Sequence, residues 1–120
     1  MAKILTIGLD QSVALPLSRA LGTERHDIRH KPKTTRIDDL LNADIIFVSG
    51  EGKQYLLLLK KVREVAPALP FVVVTSVPET SDWLDALEAG ATDYCAAPFE
   101  PRHLNWLMET ALATPRTVAA

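Results

Sequence analysis

A single cysteine, Cys95, is all that a chain of 120 residues carries, so no internal disulfide can staple the fold. The three histidines have no spacing suited to zinc, and with one thiol beside them a structural metal is not expected. Long apolar runs are lacking too: none approaches the roughly 20 residues that a membrane span needs. Charge of one sign is not in excess either. A formal net charge of -2 creates no bulk attraction to nucleic acid or to an anionic membrane. Internal repeats and low-complexity tracts are missing, which excludes solenoid architectures. The opening Met-Ala-Lys runs directly into an apolar stretch without the pattern of a secretory signal, so a cytoplasmic location is expected.

What remains is an ordinary globular composition, 48% hydrophobic and 23% charged. A chain of this size forms one domain and buries roughly two thirds of its unfolded surface. Its organising stretch is Asp44-Ile45-Ile46-Phe47-Val48-Ser49-Gly50. A continuous apolar run this short is what a parallel strand covered on both faces requires, and it stops abruptly in small and polar residues. Phe71-Val72-Val73-Val74-Thr75-Ser76 repeats the pattern with more β-branched residues.

Around these two strands the chain alternates. Lys3 to Ile7 is a strand closed by Gly8, and Asp10 is placed to cap a helix over residues 11–21 that ends at Gly22. Pro16 lies inside that helix and removes one of its backbone hydrogen bonds. Glu24 to His30 is polar enough for an exposed edge strand, with a short helix over residues 34–42 to follow. Lys53 to Val65 is too long for a typical strand and reads as a helix, its cluster Lys60, Lys61 and Arg63 suited to the last turns. Thr80 or Ser81 would cap a fourth helix reaching Ala89, Thr92 to Ala96 forms a last strand, and Glu100 to Ala113 a last helix. Residues 1–113 therefore form the domain, with 114–120 as a tail or the start of a linker. Five strands alternating with five helices predict an α/β fold, a single doubly wound parallel sheet with helices on both faces.

Two stretches carry a family resemblance. Leu84-Asp85-Ala86-Leu87-Glu88-Ala89-Gly90-Ala91-Thr92-Asp93-Tyr94, followed by Ala97-Pro98-Phe99, resembles the end of the receiver domain of bacterial response regulators, and Val74-Thr75-Ser76 matches that family's fourth strand. The resemblance is nearly collinear from Lys3 to Ala113, and it implies a flavodoxin-like sheet of order 2-1-3-4-5. It further implies a phosphoacceptor aspartate ending the third strand, an acidic pair after the first, a hydroxyl residue after the fourth and a lysine before the proline. Those positions fall on Ser49, on Gly8 and Leu9, on Thr75 and on Ala97. Only Thr75 and the switch aromatic Tyr94 are kept, and the loop after Ser49 is about two residues shorter than the family form. The resemblance also implies a cis bond before Pro98.

Serine needs a neighbouring base or metal to become a nucleophile, and Gly8, Leu9 and Ala97 supply none. Magnesium favours octahedral oxygen ligands including carboxylates, and only Asp10 and Glu51 lie nearby in sequence. The expectation is a degenerate pseudo-receiver that is not an enzyme, uses no cofactor or metal, and acts through a protein partner or output domain, in a two-component type of signalling. Two alternatives stand beside it. Ser49-Gly50-Glu51-Gly52-Lys53 could cradle an anion or small ligand in the crevice between the first and third strands, although the spacing is not that of a P-loop. Asp10 or Glu51 could serve as a relocated phosphoacceptor.

Trp83, Tyr94, His103 and Trp106 lie on the fourth helix, last strand and last helix, the face that the resemblance assigns to dimerisation and partner contact. Tryptophan and tyrosine are enriched at interface hot spots, so these four are the candidate interface, with burial of both tryptophans in the core as the other reading. The basic residues Arg25, Arg29, Lys31, Lys33 and Arg36 read as a solvated edge, and direct nucleic-acid binding by this domain is not expected.

Overall fold

The computed structural model describes residues 2–22, 25–32, 36–77 and 79–113, so the expected tail over 114–120 lies outside the described residues. Five parallel strands, β1 (Lys3–Ile7), β2 (Asp27–Lys31), β3 (Ile45–Ser49), β4 (Phe71–Thr75) and β5 (Asp93–Ala96), form one sheet in the order β2-β1-β3-β4-β5. They alternate with α1 (Gln11–Leu21), α2 (Ile37–Leu40), α3 (Tyr55–Val65), α4 (Thr80–Glu88) and α5 (Pro101–Ala113). This is the doubly wound receiver topology that the alternation and the resemblance imply.

The apolar runs of β3 and β4 make this sheet because successive side chains point to opposite faces and both faces are covered. Ile46, Val48, Phe71 and Val73 enter a core with Leu40, Leu59, Val62 and Ala86, beneath α2, α3 and α4. Ile45, Phe47, Val72 and Val74 enter a second core with Val13, Leu17, Leu104 and Leu107, beneath α1 and α5. Phe47 and Phe71 are fully buried, and burial of a side chain of this kind contributes about 1.5–3 kcal/mol.

Local signals act as their chemistry dictates at several boundaries. Asp10 caps α1, its Oδ1 accepting the Gln11 amide at 3.0 Å and its Oδ2 the Ser12 hydroxyl at 2.7 Å. Gly22 ends that helix with its amide donated to the Ser18 carbonyl, and Pro16 lies within it on the exposed side.

Other boundaries move. The helix expected from Lys53 begins at Tyr55, because Gly52 at φ 72° and Lys53 at φ 57° are left-handed and leave only a 3₁₀ turn over Glu51–Lys53. The edge strand is Asp27–Lys31 and includes Lys31, while its expected start at Glu24 lies outside the described residues. The second helix keeps only Ile37–Leu40 of its expected span, of which Thr34 and Thr35 are also not described. The N-cap of α4 is Glu79, with no side-chain hydrogen bond; Thr80, expected as a cap, is the first helical residue.

Arg63 was expected to serve the end of its helix electrostatically. Instead its guanidinium ties three segments together, donating to the carbonyls of Gly90 at 2.8 Å and Leu69 at 2.7 Å and toward the Thr92 hydroxyl at 3.4 Å.

Candidate functional site

In an open parallel sheet the carboxyl ends of the strands form the crevice in which ligands gather. Here β1 runs into Gly8, whose φ of 67° suits glycine and whose amide donates to the Lys31 carbonyl at 2.8 Å. Leu9 follows and packs partly against the α1/α5 core. At the end of β3, half-buried Ser49 accepts the Glu51 amide at 3.4 Å through its hydroxyl. Gly50 donates its amide to Val74 at 2.8 Å, and a Cβ there would come within 2.7 Å of Val73 Cγ1. Glycine at this position thus allows β3 to leave the sheet close against β4.

Thr75 ends β4 nearly buried, its hydroxyl accepting the Val77 amide at 3.1 Å and donating to the Val77 carbonyl at 3.3 Å. Ala97 donates its amide to the Thr75 carbonyl at 3.1 Å, and the Ala97–Pro98 bond is cis. Tyr94 is half-buried, and burial raises its phenol above the ordinary tyrosine range, with the Glu79 amide and the Thr75 hydroxyl acting in the other direction. The fold therefore places Thr75 and Tyr94 side by side.

The residues at this site do not fit a magnesium ion. Gly8, Leu9 and Ala97 offer no carboxylate or ammonium, and both carboxylate oxygens of Asp10 serve the cap of α1. Glu51 is turned toward the Ser76 hydroxyl at 3.5 Å. The lysine of the loop is engaged as well. Lys53 Nζ lies 3.2 Å from Asp85 and 3.6 Å from Asp82 on α4, and the hydrogen bond to Asp85 leads the interactions that raise its ammonium above the usual range. The crevice beside Ser49, lined by Ile7, Val48, Gln54, Tyr55 and Leu58 among others, encloses about 90 Å³. A wider, open recess of about 570 Å³ lies on the other side of the loop, lined by Gly50, Glu51, Gly52, Lys53, Thr75 and Asp82 among others.

The candidate interface residues lie on and beside the edge strand β5, Trp83 on α4 and His103 and Trp106 on α5, helices that cover opposite faces of the sheet, and the core does not take the tryptophans. Trp83 is 43% exposed and Trp106 is 58% exposed, with Leu84 and Leu87 also open on α4. The His103 ring stacks on Trp106 with centroids 6.3 Å apart and an interplanar angle of 29°. Cys95 lies under α5 in the α1/α5 core, where burial first and Asp93 second push its thiol up to about 12.

Spacing in the sequence did not disclose that Asp93, Cys95 and His103 converge. Asp93 Oδ2 lies 3.1 Å from His103 Nε2, a contact between the start of β5 and the first turn of α5 that only the packing of this helix on the edge strand creates. The strand's alternation, which puts Asp93 and Cys95 on the same face, is the part that could have been read in advance.

No protein-family model matches the chain. The transcriptional regulatory protein ZraR of Salmonella typhimurium is 29% identical over 101 residues, 84% of this chain and 22% of that protein. The phosphate regulon transcriptional regulatory protein PhoB of Klebsiella pneumoniae is 36% identical over 66 residues, 55% of this chain and 28% of that protein. The chain thus spans about a quarter of the length of these relatives. Among solved structures, a Chloroflexus aurantiacus J-10-fl protein described as a response regulator superposes with a TM-score of 0.75 at 26% identity, over 93% of this chain and 98% of that one. In strand order, fold and sequence the chain is thus similar to the receiver domains of two-component response regulators.

Proposed function

We propose that this receiver domain signals through protein contacts and without an aspartyl phosphate. The observation that carries the reading is the end of β3, where a hydroxyl stands in place of a carboxylate. No base or metal-binding pair flanks it at Gly8, Leu9 or Ala97, and Asp10 and Glu51 are turned to other partners. A phosphoryl group would find neither an acceptor carboxylate nor the cation needed to stabilise its transfer. On this reading the domain is a regulatory module and not an enzyme.

Its working surface is the face of α4, β5 and α5. Trp83, Leu84 and Trp106 are exposed there, and large aromatic side chains of this kind anchor interfaces when a partner covers them. The occupant is a protein, either a second copy of this domain or an output domain continuing the chain, as the names of ZraR and PhoB as transcriptional regulatory proteins support.

The test is incubation with magnesium and a small phosphodonor, read by intact mass, alongside amide NMR spectra with beryllium fluoride. The expected outcome is unchanged mass and unchanged peaks at Gly8, Ser49, Thr75 and Ala97. A phosphoryl adduct, or saturable shifts at those residues, would overturn the reading and make Asp10 or Glu51 the first acceptors to examine.

A further inference from the structure

We propose that Asp93, Cys95 and His103 form a binding site for a divalent transition metal, zinc by preference, that joins β5 to α5. Their ligand atoms all lie within 4.8 Å of one another, the one such convergence of three His, Cys or acidic groups among the described residues. It stands apart from the strand-end site, because Asp93 opens β5 whereas Ser49 and Thr75 close their strands.

The donor set is one imidazole nitrogen, one sulfur and one carboxylate oxygen, a combination that suits zinc better than the hard cations magnesium and calcium. Zinc bonds of about 2.0–2.3 Å at tetrahedral angles set ligand atoms roughly 3.3–3.7 Å apart, so the Cys95 sulfur, within 4.8 Å of the other two ligand atoms, must close on them by up to about 1.5 Å while the His103 and Asp93 atoms, 3.1 Å apart, open slightly. Part of the positioning already exists. Asp93 Oδ1 accepts the Tyr94 amide at 2.7 Å, which fixes the carboxylate so that Oδ2 faces His103 Nε2 at 3.1 Å. Strand alternation brings Cys95 to the same face as Asp93, and burial against Leu104 and Leu107 holds its side chain under α5. The His103 side chain is 43% exposed and leaves a route for the ion and room for water as a fourth ligand.

Binding breaks the Cys95 S–H bond and releases that proton to solvent. The metal takes the place of the hydrogen between His103 Nε2 and Asp93 Oδ2; that proton leaves Nε2 through solvent and the neutral imidazole that binds the ion carries its one proton on Nδ1. Because His103 stacks on Trp106, an ion that draws His103 toward β5 also changes the surroundings of an exposed indole on the proposed interface.

The experiment uses the purified chain, cleared with a chelator and titrated with Co²⁺ alone, then with Zn²⁺ as competitor, while absorbance and tryptophan fluorescence are followed. The expected result is one cobalt per chain, a near-ultraviolet thiolate-to-cobalt band, a tetrahedral visible spectrum, displacement by zinc and a fluorescence change. Cys95→Ala and the exposed-site variant His103→Ala should each abolish the thiolate band, and Asp93→Asn should weaken binding. Absence of a thiolate band, or a band that survives in a folded His103→Ala protein, would overturn the assignment.

Discussion

Replacing Arg63 with Met should destabilise the domain more than any surface substitution, because one guanidinium closes the joints between α3, the approach to β4 and the turn before β5. Its two short hydrogen bonds, 2.7 Å to Leu69 and 2.8 Å to Gly90, are made to carbonyls, while the 3.4 Å contact to Thr92 is weak. Hydrogen bonds from a charged donor are worth about 1.5–3 kcal/mol each. Arg63 is only half-buried, so water can reach the vacated carbonyls, and the expected loss for the pair is about 2–4 kcal/mol. An unfolding entropy of about 2.1 cal/mol/K per residue, taken over 120 residues, converts this to a fall in Tm of about 8–16 °C. Urea unfolding with an unchanged m-value is the assay. Arg63→Lys should recover only part of the loss, since an ammonium cannot present the planar fork that reaches both carbonyls. If Arg63→Met stays within about 0.5 kcal/mol of the parent, the bonds are not what holds these segments together.

Gly50→Ala should cost about 1–3 kcal/mol, because its Cβ would lie 2.7 Å from Val73 Cγ1; retained stability in urea would show that β3 and β4 separate freely. Ser49→Asp alone should gain no phosphoryl mass from a small phosphodonor with magnesium, since Gly8, Leu9 and Ala97 still provide neither carboxylate nor ammonium. The hydroxyl of Tyr55 is buried with no hydrogen-bond partner among the described residues, so Tyr55→Phe should be neutral or stabilising by up to about 1 kcal/mol. Burial raises the phenols of Tyr55 and Tyr94 above their usual range, so the folded state holds these protons more tightly than the unfolded chain. Their contribution is complete below the unfolded tyrosine value of about 10 and is lost as pH rises through the folded values. Alkaline urea titrations should show stability falling there, less steeply in Tyr55→Phe.

The parts of this fold that could be read from residues alone are those in which a single local rule decides. Ile45 to Val48 and Phe71 to Val74 can satisfy their apolar side chains only when covered on both faces, and Asp10 meets its cap wherever the helix begins. The rest depended on distant neighbours. Lys53 looked like the start of a helix because nothing adjacent reveals that it and Gly52 adopt left-handed backbone, with the lysine drawn toward Asp82 and Asp85 some thirty residues later. Arg63 looked like a favourable charge at a helix end, since its carbonyl partners belong to other segments. At the site, the absence of carboxylates was plain from Gly8, Leu9 and Ser49. The closeness of Thr75 to Tyr94, the exposure of both tryptophans and the meeting of His103 with Asp93 arise from how α4 and α5 pack on β4 and β5, which no run of residues encodes by itself.

The attachment of Lys53 to α4 gives the loop beyond β3 a mechanical role. A partner that grips Trp83 and shifts α4 must either carry that loop with it or pull an ammonium away from two carboxylates at the surface. Such a link is loosened by dissolved ions over distances of about 8–10 Å at ordinary salt. Ionic strength would then set how stiffly the strand-end loop and α4 move as one body.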